Sequence, residues 1–308
     1  MGIEATAVEE GHHGIVVPEA QGAEGATILE CHRDPFDGGQ RTAPTDRDGV
    51  VRKETEFIVC RGHGTVRLPG VSTIEIPGSV NFRDVGGLPA GTAATRAGVL
   101  YRSGNLAGLD TAGERSFAAL GIRRVIDLRD EQEVANAPSR IDQTAAITQH
   151  EPLFLGSVAS FFHEDIPLAE LYRRLVEDSA PRVVEVVRGI ITDQPVLVHC
   201  TVGKDRTGVT VAVTLAAAGV DRTAVVDDYA RTESLLPDAR NQDVLARLRR
   251  HFPDAVHLED LATRSPAPVM QALLADIDAR YGSVSDYLRA NGMSDDELSE
   301  LRAVLIAR

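Results

Sequence analysis

The chain has 308 residues, 43% of them hydrophobic and 25% charged, and a formal net charge of −14. That size supports one large buried core, alone or with an appendage, and the acidic balance argues against a nucleic-acid partner, because phosphate backbones are held by basic faces. Three cysteines are too few for a disulfide framework, and no run approaches the roughly 18 apolar residues of a membrane span.

The N-terminus carries acids where a secretory signal needs basic and then apolar residues. The expected location is therefore cytoplasmic, in a reducing compartment, with no stable membrane insertion. Residues 1–48 hold ten acids against three bases, are rich in Gly and Ala, and show no apolar periodicity. They read as a weakly ordered extension. His12, His13, Cys31, His32, Cys60 and His63 follow no zinc spacing, so no metal is expected. Short β-prone runs at 55–59 and 65–68 suggest a hairpin, and a third run at 73–76 alternates.

Residues 81–88 read as a glycine-closed turn and 99–101 as a short strand. Within that turn Arg83 and Asp84 are expected to staple the backbone. Thr111 and Glu114 have the spacing of a capping box, followed by a helix to Leu120 and a stop at Gly121. A strand over 123–128 ends in Asp127. Residues 138–167 are weakly patterned, with Phe154, Phe161 and Phe162 among polar residues, and suit either a lid or an ordinary surface loop. Two amphipathic helices follow, one through Leu168, Leu171, Tyr172 and Leu175 and one after Pro181. Beyond residue 208 come a buried helix over 209–218 closed by Gly219, a helix capped by Asp221, one through Met270, Leu273, Leu274, Ile277 and Tyr281, and a last one opened by Ser294 and Glu297.

The stretch between the buried run 195–198 and the helix at 209–218 reads His-Cys-Thr-Val-Gly-Lys-Asp-Arg-Thr-Gly, from His199 to Gly208. A strand, a tight loop and a helix N-terminus gather backbone N–H groups at one point, and the helix dipole adds about half a positive charge there. Gly203 would let the backbone approach an oxyanion. The same field favours the thiolate of Cys200. Arg206 offers a planar two-pronged donor to phosphoryl oxygens, and Lys204 a second cation. The phosphate site expected is Thr201, Val202, Gly203, Lys204, Asp205 and Arg206, with Cys200 as nucleophile, Thr207 assisting the thiolate as leaving group, and His199 bracing the loop. The expected chemistry is phosphomonoester hydrolysis through a cysteinyl phosphate, without a cofactor.

This loop resembles the signature of cysteine-based protein tyrosine phosphatases, and its Gly-Lys-Asp-Arg-Thr-Gly half is similar to a bacterial group of tyrosine and dual-specificity enzymes, some also active on phosphoinositides. Further matching pieces are Asn-Phe-Arg-Asp-Val-Gly-Gly at 81–87, Leu-Tyr-Arg-Ser-Gly at 100–104, Val-Ile-Asp-Leu-Arg at 125–129, and Tyr-Gly-Ser-Val at 281–284 with Tyr287 and Leu288. The resemblance implies an α/β fold, a central mostly parallel sheet flanked by helices with a helical C-terminal part, occupying 73–308 behind an extension of 1–72.

The proton donor is open at this stage. The chain has no tryptophan, so the Trp-Pro-Asp loop of many relatives is absent. Asp205 is the position implied by the bacterial group, Asp127 ends the neighbouring strand, and Asp165 lies on the stretch that would be a lid. The leading function is a phosphotyrosine phosphatase, with a phosphoprotein as the partner it acts on. The rivals are a phosphatase for a nucleotide, sugar phosphate, phosphoinositide or biosynthetic intermediate, and a phosphate-binding module without turnover.

Overall fold

The computed structural model describes residues 74–153 and 159–307. The extension, the hairpin at 55–68 and the cysteines Cys31 and Cys60 lie outside the described residues. In chain order the elements are β1 (Arg83–Asp84), β2 (Pro89–Ala90), β3 (Ala93–Ala94), β4 (Leu100–Ser103), α1 (Thr111–Ala119), β5 (Arg124–Asp127), α2 (Glu131–Asn136), β6 (Ile147–His150), α3 (Ala159–Glu164), α4 (Leu168–Asp178), α5 (Ala180–Thr192) and β7 (Val196–His199). Helices complete the chain: α6 (Arg206–Ala218), α7 (Arg222–Ala230), α8 (Thr232–Leu235), α9 (Asp238–His251), α10 (Leu258–Ala262), α11 (Ala267–Tyr281), α12 (Val284–Ala290) and α13 (Asp295–Leu305).

The main sheet runs β1-β4-β7-β5-β6, parallel throughout except for β1. This is the mostly parallel α/β sheet expected. Its central strands β4, β7 and β5 carry buried apolar residues on both faces because helices cover both. Side-chain alternation divides them between two cores: Leu100, Ile126, Val196 and Val198 face the larger one with α4, α5 and α6, while Tyr101, Val125 and Leu197 face a smaller one with Phe117 of α1. Registers align Ser103, His199 and Asp127 across β4, β7 and β5, so three strands end at one level. The loop after β7 emerges there, and α6 leaves it as a helix buried on nearly every side, closed by Gly219 in the left-handed region.

Several local expectations change. The cap of α1 is Asp110, whose carboxylate accepts from the Gly113 N–H at 2.7 Å, and Glu114 instead pairs with Arg140. Aspartate, already extended one residue earlier, takes the cap before Thr111 does. Asp221 starts α7 without capping it; its carboxylate accepts from the Gly91 N–H at 2.9 Å and ties α7 to the β2–β3 turn. The weakly patterned stretch 138–167 contains an edge strand, β6, and the helix α3. Ser294 and Glu297 form the capping box expected.

One polar cluster sits inside the apolar framework. Asp228 of α7 accepts from Arg83 Nε at 2.8 Å and from Arg102 Nη1 at 2.6 Å, all three side chains being buried. Arg83 also donates to the Asp228 carbonyl and to Thr232. Arg83 and Asp84 are thus structural, Asp84 accepting from the N–H groups of Gly86 and Gly98. Burial opposes the ionised Asp228, but its two arginines outweigh that and hold its carboxyl below the ordinary range. Burial, with Arg102 beside it, brings Arg83 down to about 10. Removing one partner of such a cluster strands buried charge. We expect Asp228→Asn to lose about 3–5 kcal/mol in urea unfolding at neutral pH. A carboxyl held low when folded stabilises above the unfolded pKa of about 4 and loses that contribution as pH falls, so wild type and variant should converge in acid. A loss below about 1 kcal/mol, or parallel pH curves, would refute this role for the cluster.

Candidate active site

The loop from Cys200 to Asp205 is held from behind through its carbonyls. Asn105 donates to the Thr201 carbonyl from both its backbone N–H and its Nδ2, each at 3.1 Å. Asn81 Nδ2 donates to the carbonyls of Val202 (3.3 Å) and Gly203 (2.9 Å), and Arg102 Nη2 also reaches Gly203 O at 2.9 Å. In a trans peptide plane the N–H opposes the C=O, so pulling these oxygens backwards turns the following amides forwards. The Gly203 N–H accordingly donates to Cys200 Sγ at 3.2 Å. Arg83 in turn grips Asn81 through its side-chain and backbone oxygens.

Gly203 has φ +75°, and a Cβ there would fall 2.3 Å from the Ser103 carbonyl oxygen. The glycine is therefore required by the backbone of β4 packed behind the loop, a different reason from the oxyanion approach that the spacing suggested.

Cys200 is buried at the loop's start. Arg206 is buried too, and its Nη1 and Nη2 donate to the two carboxylate oxygens of Glu133 at 2.6 and 2.8 Å, with Nη1 also on the Leu128 carbonyl. The two-pronged face expected to meet a phosphate is thus occupied by a carboxylate, and among the described residues nothing accepts from Nε. Thr201 donates its hydroxyl to the same carboxylate. Burial opposes the ionised Glu133, but Arg206 outweighs it and brings the carboxyl down to about 2; despite burial, Glu133 holds Arg206 above its usual range. Glu133 owes its placement to the capping box with Asp130 that opens α2 just after β5. The Asp-x-x-Glu spacing at 130–133 is the sequence signal for Glu133, which motif spacing around Cys200 does not reveal.

The three aspartates separate. Asp205, the N-cap of α6, makes no capping bond; its Oδ1 accepts from Lys204 Nζ at 2.7 Å and from the Tyr172 hydroxyl at 2.9 Å. Asp127 is bonded through both oxygens to the Arg129 guanidinium and lies apart from the cavity. Burial works against its ionised form, but Arg129 and His199 hold it below the ordinary range. Asp165 accepts from the N–H groups of Val256 and His257, each at 2.8 Å, and also lies apart from the cavity. Of the three candidates, only Asp205 faces the cavity that holds Cys200.

His199 Nδ1 lies 3.4 Å from the Cys200 carbonyl, and burial pushes the ring down to about 4, so it is neutral at physiological pH. The Thr207 hydroxyl is fully buried with no hydrogen-bond partner among the described residues. Lys204 is buried, and its ammonium is spent on Asp205 and the Asp260 carbonyl.

The cavity, about 210 Å³, has Cys200, Thr201, Val202, Lys204, Asp205 and Arg206 on its polar side with Glu133 beside them. Phe162, Leu171, Val244, Leu248, Leu261 and Ala262 form an apolar wall, interrupted by Arg240. Among the described residues no group of His, Cys, Asp or Glu is arranged to hold a metal ion.

Residues 74–307 match the tyrosine phosphatase family. The chain is 32% identical over 278 residues to the triple specificity protein phosphatase PtpB of Mycobacterium tuberculosis, covering 75% of this chain and 98% of that protein. It is 30% identical over 224 residues to a tyrosine-protein phosphatase of Nostoc commune, covering 69% and 76% respectively. Among solved structures, the core catalytic domain of the PP-IP phosphatase SIW14 from S. cerevisiae aligns with a TM-score of 0.33 at 18% identity, over 59% of this chain and 90% of that one.

Glu133 stays ionised above about pH 4 and places a negative charge beside any anion bound at Arg206. In Glu133→Gln, which keeps a residue suited to the cap, inorganic phosphate at fixed concentration should raise Tm by several degrees more than in wild type. Equal shifts in a thermal melt would mean that Glu133 does not sense the bound anion.

Proposed function

Because the chain belongs to the tyrosine phosphatase family, we propose that it hydrolyses phosphotyrosine by carrying the phosphoryl group on Cys200. The observation that carries this reading is the meeting of Cys200, Arg206 and Asp205 in the lining of a single cavity, with the Gly203 N–H on the sulfur. The Cys200 thiolate attacks phosphorus, the ester P–O bond breaks, and Asp205 gives its proton to the departing phenoxide. Water then attacks phosphorus, Asp205 takes the proton, and the P–S bond breaks to release phosphate and the thiolate. The forward-facing amides and Arg206 stabilise charge on the equatorial oxygens in both steps. The buried Thr207 hydroxyl, which has no hydrogen-bond partner among the described residues, is available to the departing sulfur. Asp127 serves through Arg129 as a brace. The apolar wall suits an aryl ring. A nucleophilic thiolate also needs reducing surroundings, which supports a cytoplasmic location.

A second reading, a small or lipid-borne phosphomonoester carrying another anionic group, is favoured by Arg240, a half-buried cation on the cavity wall. Burial, then Arg247, lowers its pKa against the opposing pull of Asp205, and among the described residues no carboxylate lies within ion-pair distance of it. A panel of phosphopeptides, phosphoinositides and sugar phosphates separates the two: kcat/KM concentrated on one metabolite class would displace the phosphotyrosine reading.

Cys200→Ser should lose at least about a thousandfold in kcat while retaining vanadate binding; near-normal phosphate release would refute a phosphoryl-cysteine step. Asp205→Asn should lower kcat on alkyl phosphates by about a hundredfold and far less on activated aryl phosphates, whose leaving groups need no proton. Equal losses on both substrate series would make Asp205 a binding residue.

A further inference from the structure

Tyr172 of α4 and Tyr229 of α7 stand 57 residues apart in the chain and meet with ring centroids 5.9 Å apart at 83°. Both side chains are fully buried. A buried phenol hydroxyl is costly unless it is bonded, so two of them together imply a polar purpose that phenylalanine would not serve. The hydroxyls lie 2.8 Å from each other, and Tyr172 Oη lies 2.9 Å from Asp205 Oδ1. Each hydroxyl has one proton. Tyr172 spends its proton on Asp205, so the bond between the two tyrosines must run from Tyr229 to Tyr172. Donors arranged in series polarise one another and strengthen the last bond. Burial, with the charge of Asp205, keeps Tyr172 protonated far above neutral pH, so it remains a donor throughout the working range.

Asp205 Oδ1 also accepts from Lys204 Nζ, and among the described residues no donor reaches Oδ2. We propose that Tyr229 and Tyr172 form a hydroxyl relay that fixes Asp205 through Oδ1 and so leaves Oδ2 as the single atom that gives and takes the catalytic proton. This rests on the reading of Asp205 as the acid. In the first half-reaction the Oδ2–H bond breaks and the proton passes to the leaving oxygen; in the second the same oxygen takes a proton from the attacking water. One atom serves both transfers, and the carboxyl does not have to rotate between them. Tyr172 and Tyr229 touch neither substrate nor sulfur in this account and are positioning residues.

The test uses the full-length chain and a series of phosphate esters whose leaving groups span a wide pKa range. Tyr172→Phe keeps the ring and removes the hydroxyl. It should lower kcat on the poorest leaving groups by roughly 10–100-fold and on dinitrophenyl phosphate by far less, with KM and inorganic phosphate inhibition little changed. Tyr229→Phe should show the same leaving-group pattern at smaller amplitude, and the double variant should be no worse than Tyr172→Phe. Adding Tyr172→Phe to Asp205→Asn should change kcat by less than about 2-fold, because the group it positions is already disabled. The relay is overturned if Tyr172→Phe slows all esters alike or raises KM, or if its effect multiplies with that of Asp205→Asn. Should Tyr172→Phe fail to fold, the leaving-group dependence of Tyr229→Phe decides the matter. The two ideas fail separately: an Asp205→Asn variant that slows every ester alike removes the acid assignment, whereas a selective Asp205→Asn beside an unselective Tyr172→Phe removes only the relay.

Discussion

A single buried carboxylate organises the catalytic loop without touching it. Asp228 bridges Arg83 and Arg102, and these grip Asn81 and the Gly203 carbonyl. Because the peptide group is rigid, restraint on the oxygen side sets the direction of the amides on the other. The donors are aimed before any substrate arrives, so little reorganisation is left for the moment of reaction. The two motifs around Arg83 and Arg102 are thus a mounting for the loop and do not contact a substrate themselves.

Within the catalytic loop each cation already has an anion. Arg206 is matched by Glu133 and Lys204 by Asp205, so the loop's own cations carry little unmatched charge, and the backbone and Arg240 supply the remaining positive field. A phosphate dianion entering there competes with a carboxylate for one guanidinium. A carboxylate in that position would weaken the hold of Arg206 on product phosphate.

Much of this was legible in the sequence. Apolar runs that fill both faces of a parallel strand, and a helix buried all round, leave strong patterns, so β5, β7, α5 and α6 could be found along with the loop between the last strand and helix. The edge strand β6 was not, because Ile147 is 57% exposed and half of an edge strand needs no apolar residue. The helix α9 has no fully buried residue and so no stripe to detect. The partners of the loop were hidden for another reason: Asn81, Arg102, Glu133, Tyr172 and Asp228 come from separate elements, and only the fold brings them together. Which of the three aspartates lines the cavity with Cys200 depends on how the fold places them, which spacing does not record.

The weakly buried α9 also supplies Arg240, Val244 and Leu248 to one side of the cavity. Other residues of the lining, Arg206 and Lys204, are held by ion pairs with Glu133 and Asp205. A wall carried by a helix with no fully buried residue costs less to deform than residues fixed by buried ion pairs, so substitutions on α9 would change the fit of a substituent while leaving Cys200 and Arg206 in place.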